Sequence, residues 1–189
     1  MPLSTEVANA LYGAWRLARL DRDAMRWFER SLPGVWRSFL AAAICYPAFL
    51  VLLWLRADAA SVAQAGWVRI LLVESIGYVI GWTAYPLLAL PFCRWLASEE
   101  QTLGFIAAYN WSQVLQTGLL LVAMSFGGVA ALPEDAASTL AAIVYLLLLA
   151  YEWFIARIAL DRGALPATAL VLLDVVLSSA LSLVTQSLY

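Results

Sequence analysis

Three carboxylates interrupt long apolar stretches of this chain: Glu74, Glu152 and Asp174. A charge at the centre of a bilayer costs ~2.5–3.5 kcal/mol on insertion scales, so such groups turn toward the bundle interior or toward water. Glu74 falls in the outer half of its apolar stretch. Glu152 lies near the inner end of its own, and Asp174 roughly two helical turns in from the inner end of the last. That placement suits a stepwise path for protons or cations. It equally suits three separate hydrogen-bonded packing sites.

A second polar group opens another stretch. Asn110, Gln113 and Thr117 recur at helical spacing and share one stripe. Side chains of this kind either hydrogen-bond between helices, at ~0.6–2 kcal/mol per contact, or line a path for a polar solute.

Other chemistry is excluded by what the chain lacks. It contains no His, the usual ligand for haem and zinc and the commonest general base. Cys45 and Cys93 are far apart, make no CxxC pair, and read as small apolar fillers. Ser112 and Ser125 have no His to activate them, so a His-based triad cannot form. No phosphate-binding loop, HExxH or GxSxG is present. No catalytic residue, metal or cofactor is expected, and the reading is non-enzymatic.

The elements that position these groups follow from composition. Hydrophobic residues make up 64% of the 189, and charged residues only 13%. Soluble domains run near ~45–50% and ~25%, and a soluble surface this apolar would aggregate. The net charge of −2 argues against nucleic acid as a partner. A spanning helix needs ~20 mainly apolar residues. Five stretches qualify, at about 35–55, 67–91, 105–131, 138–158 and 167–188. The expected fold is all-α, a polytopic helical bundle of five spans over 35–189, since lipid offers unpaired backbone no other partner. Pro86 should kink the second span and Pro91 should end it. Gly77 and Gly81 form a GxxxG pair in that span, which allows close approach within the bundle or self-association.

Residues 1–34 form a separate amino-terminal segment with five Arg and no apolar run of signal-peptide length, so insertion is expected to start from the first span. Within it, 17–32 reads as an amphipathic helix lying in the membrane interface. Leu17, Leu20, Ala24, Trp27 and Phe28 share one face, and Arg19, Arg22, Arg26 and Arg30 the other. Those arginines either set topology or dock lipid headgroups or an acidic partner. With the amino terminus in the cytoplasm, nine of the eleven Arg lie inside and only Arg56 and Arg69 outside. The positive-inside rule then places the carboxyl end outside.

Two short pieces, Gly34-Val-Trp-Arg-Ser-Phe39 and Ala108-Tyr-Asn-Trp111, together with the five-span layout, resemble Yip1-domain membrane proteins of bacterial type. The resemblance implies an inner-membrane helical bundle and no established chemistry. Eukaryotic members carry an Asp-Leu-Tyr-Gly-Pro stretch. Here only Leu11-Tyr12-Gly13 echoes it, without the flanking Asp or Pro. Trafficking or GTPase binding therefore does not transfer. The expected role is a scaffold, assembly factor or accessory subunit, partnered by lipids and by other membrane proteins or a second copy. The alternative is a small transporter or proton- or cation-conducting protein built on the three carboxylates.

Overall fold

The structure, a computed structural model, describes residues 3–129 and 133–189, and side chains outside 126–129 and 134. Every regular element among the described residues is helical: α1 (Leu3–Ala18), a 3-10 helix (Arg22–Trp27), α2 (Leu32–Ser38), α3 (Leu40–Arg56), α4 (Ala59–Ala65), α5 (Trp67–Leu96), α6 (Glu99–Val129), α7 (Glu134–Leu160) and α8 (Ala164–Ser187). Among the described residues, four helices are long and apolar enough to cross a membrane: Leu32–Arg56, Trp67–Leu96, Asp135–Leu160 and Ala164–Ser187. Their mean hydropathies are 2.1, 1.4, 1.9 and 2.1. The chain is therefore a helical membrane protein.

The expected third span, α6, is not among the four, and residues 130–132 of it lie outside the described set. Its amino-terminal half carries Asn110, Ser112 and Gln113, with Gln116 and Thr117 just beyond. That half is also the most enclosed part of the molecule. Phe105, Ile106, Ala107, Ala108, Trp111 and Ser112 are all buried, and α6 packs against α1, α2, α3, α5 and α7. A helix wrapped by other helices has no need of a lipid-compatible surface.

The outer helices show the converse. On α5, Val68, Leu72, Ile76 and Val79 point away from the bundle and are exposed, as lipid-facing side chains must be. Pro91 does not end α5, which runs on to Leu96 with Pro86 and Pro91 both inside it. Neighbouring helices in a membrane bundle let a helix tolerate the lost backbone hydrogen bond.

The amino-terminal segment departs most from the sequence reading. Residues 17–32 are not one helix. Helix α1 stops at Ala18, the chain reverses through Leu20 at φ 60°, and a 3-10 helix follows. Asp21 drives the reversal. Its carboxylate pairs with Arg16 and accepts from the Asp23 amide at 2.9 Å, capping the 3-10 helix. Leu20 is consequently exposed rather than part of an apolar face. The returning segment lies on α1 so closely that a Cβ on Gly13 would sit 2.8 Å from Trp27 Cβ. Helix α1 itself belongs to the bundle. Ala10, Gly13, Ala14 and Leu17 are buried, and the Tyr151 hydroxyl of α7 donates to the Ala14 carbonyl at 2.7 Å.

Candidate functional site

Helices α5 and α8 run against one another through small residues. A Cβ on Gly77 would meet Thr185 Cγ2 at 2.6 Å, and one on Gly81 would meet Leu181 Cδ2 at 3.3 Å. The GxxxG pair thus brings α5 onto α8 of the same chain. This close line of backbones sets one side of a cavity of about 330 Å³. Its other sides come from α3, α6 and α7.

All three intramembrane carboxylates line this single cavity, Glu74 from α5, Glu152 from α7 and Asp174 from α8. Gln113 of α6 joins them. At one end, the Tyr109 hydroxyl donates to Asp174 Oδ1 at 2.7 Å. Glu152 is only 8% exposed, neighbours Asp174, Gln116 and Gln113, and leaves its Oε2 without a hydrogen-bond partner. At the other end, the Tyr189 hydroxyl donates to Glu74 Oε1 at 2.7 Å. Tyr189 lies beyond the end of α8. Partial burial, and the Glu74 carboxylate beside it, push its phenol up to about 12. It therefore stays a protonated donor across the physiological range.

The cavity is elongated. From Asp174 to Thr185, which faces Gly77, α8 rises about 16 Å at about 1.5 Å per residue, roughly half of a ~30 Å hydrocarbon core. A second chamber of about 440 Å³ continues from Glu74, Arg56, Phe49 and Ser182, which line both, to Asp58, Ser61, Gln186 and Tyr189. Among the described residues lining the first chamber, one guanidinium, Arg56, stands against the three carboxylates. The carboxylates do not converge on a point. Among the described residues no group of three acidic or Cys side chains is placed to hold one metal ion.

The other polar residues singled out from the sequence lie elsewhere. Asn110 is fully buried, and its Nδ2 donates to Ser38 Oγ at 2.8 Å, tying α6 to α2. Thr117 neighbours Cys45 on α3. Of the amino-terminal arginines, Arg30 pairs with Glu100 at 3.2 Å, Arg26 stacks 5.9 Å from the Trp27 ring, and Arg19 and Arg22 are exposed. Sequence reasoning missed Tyr109, Arg56, Trp82 and Tyr189. Arg56 follows Trp54 and read only as an end-of-span residue. No periodicity signals Tyr189.

The fold and cavity define a class: a helical membrane protein with a half-open acidic cavity between its helices. No family model matches the chain, and neither a curated protein nor a solved structure is significantly similar to it.

Proposed function

We propose that this protein binds protons or small cations in the acidic cavity and passes them through the membrane, as a small transporter or conducting protein. One observation carries the reading: Glu74, Glu152 and Asp174, contributed by three different helices, line one cavity. Separate packing sites would have satisfied each carboxylate apart from the others. Instead Glu152 and Asp174 are neighbours, and two adjacent negative charges take up a proton or a cation to relieve their repulsion. The scaffold or accessory-subunit role drawn from missing catalytic motifs has no comparable observation behind it.

The same reading takes α6 as a fifth span. At 31 residues it exceeds the ~20 that crossing requires, and its polar half faces other helices. The arginine distribution supports an inner amino terminus, in the plasma or inner membrane of a bacterium, as the Yip1-domain resemblance implies. Ion pairs Arg16–Asp21, Arg30–Glu100, Arg94–Glu99 and Arg157–Asp161 then gather on the cytoplasmic side. The vestibule of Arg56, Asp58 and Tyr189 opens outside.

The test is flux. Proteoliposomes carrying the purified protein and a trapped pH dye should show proton or cation movement. Glu152→Gln, Asp174→Asn and Glu74→Gln should each reduce it at least tenfold. Flux that is unchanged in all three variants removes the proposal.

A further inference from the structure

The walls between the carboxylates are aromatic. Phe49, Tyr78, Trp82 and Tyr109 all line the first chamber. The first three form a continuous surface, with ring centroids 4.6 Å apart for Phe49–Tyr78 and 5.9 Å for Tyr78–Trp82. Their polar atoms are largely spoken for. The Tyr78 hydroxyl donates to the Ala42 carbonyl at 2.6 Å, so what it offers the cavity is its ring. The Tyr109 hydroxyl is committed to Asp174. The hydroxyls on the α8 wall are likewise engaged, Ser178 with the Val175 carbonyl at 3.2 Å and Thr185 with the Ser182 carbonyl at 3.1 Å.

A neutral polar solute such as a sugar needs free donors and acceptors arranged around it. This lining has spent most of its own. Beside ring faces, what remains is the Gln113 amide, the Arg56 guanidinium at one edge, and negative charge, including the unpartnered Oε2 of Glu152, which is more than nine-tenths buried. That is the chemistry that recognises organic ammonium ions, whose alkyl groups spread positive charge over an apolar surface that aromatic quadrupoles attract. A strongly hydrated alkali ion would gain little from such walls, and a proton would not need about 330 Å³.

We propose that the cavity takes a small organic ammonium ion, its charge met by Glu152 and Asp174 and its alkyl shell by the rings of Phe49, Tyr78 and Trp82. The inference rests on the cation-binding reading of the same cavity and names its substrate class. Arg56 stands beside Glu74 where the two chambers meet, so an entering cation passes one like charge before reaching Glu152 and Asp174.

Calorimetric titration of the full chain in detergent tests it, with tetramethylammonium, choline and sodium as probes and proton uptake followed alongside. The ammonium ions should bind at least tenfold more tightly than sodium, and Asp174→Asn should abolish their binding. Trp82→Leu should weaken ammonium binding at least fivefold. Trp82→Phe, which keeps a ring, should retain most of the affinity and guards against a Leu variant that fails to fold. Equal binding of sodium and ammonium, or ammonium binding indifferent to both Trp82 variants, overturns this inference but spares the cation reading if proton uptake still needs the carboxylates. Absence of any carboxylate-dependent uptake overturns both.

Discussion

Two polar regions share the interior of this bundle and behave oppositely. Around the first half of α6, polar side chains are enclosed by neighbouring helices and mostly reach one another or the backbone, although Asn110 Oδ1 and Thr102 Oγ1 have no partner. Asn110 donates to Ser38, which in turn donates to the Val35 carbonyl at 2.7 Å. Tyr151 reaches both the Ala14 carbonyl and Ser112, the latter at 3.0 Å. Between α5, α7 and α8, polar side chains instead border open volume, and the carboxylates among them meet tyrosine hydroxyls or one another. Residue type does not separate the regions, since both contain groups that are costly in hydrocarbon. The surrounding space does. A polar group with its partners packed around it holds helices together, whereas one left facing a cavity has binding capacity to spare.

Substitutions can break this contrast at several points. The largest effect is expected at Gly77, because a side chain there meets Thr185 on an adjoining helix at 2.6 Å and neither backbone can easily yield. Gly77→Leu should force α5 off α8, destabilise the fold by about 1–3 kcal/mol as overpacking does, and abolish binding in the cavity. Thermal unfolding in detergent micelles, read beside ion uptake, checks both. Asn110→Leu comes next. It removes one partner of a buried pair and should cost about 1–3 kcal/mol, yet leave ion uptake intact in whatever fraction remains folded. Loss of uptake at an unchanged unfolding temperature would erase the distinction between the regions.

Asp174→Asn probes the other side of the comparison. It should lower uptake at least tenfold while the unfolding temperature holds or rises, because the amide oxygen can still accept from the Tyr109 hydroxyl while the repulsion between neighbouring carboxylates is removed. A fall in stability as large as that of Asn110→Leu would make Asp174 a structural group. Tyr189→Phe should act more weakly. Losing the hydroxyl that holds Glu74 Oε1 should make that carboxyl react with a hydrophobic carbodiimide a few-fold faster, measured by mass spectrometry.

The smallest effect lies outside both regions, at Asp58. Hydrogen bonds from the Ser61 hydroxyl and amide hold its carboxyl below the ordinary range, and it caps α4 at the vestibule rim. A depressed carboxylate stabilises above its unfolded value near ~3.9 and loses that contribution as pH falls through its folded value. Fraying of α4 on acidification should therefore appear in amide exchange, and Asp58→Asn, still a competent cap, should remove the pH dependence.

Much of the element layout was legible in the residues. The stretches read as spans one, two, four and five match α2–α3, α5, α7 and α8 to within a few residues, apart from the run-on past Pro91. Those four face lipid, so their apolarity is written along the whole chain. The amino-terminal segment misled because Asp21 turns the chain where helical periodicity alone would continue it. The buried face of α1, made largely of Ala and Gly, carries little hydrophobic contrast to read.

What the sequence alone determined is the medium and the elements: hydrophobic length forces helices, and hydrocarbon forces their apolar faces outward. It also marked Glu74, Glu152, Asp174 and Gln113 as out of place in lipid. Only the tertiary structure decided that these four line one cavity, that Asn110 and Thr117 do not, and that aromatic rings fill the spaces between the charges. The reason is that positions on one helix are related by a fixed rise and rotation, whereas positions on different helices are related only by packing. Here that packing turned on two glycines of α5 and the small residues of α8.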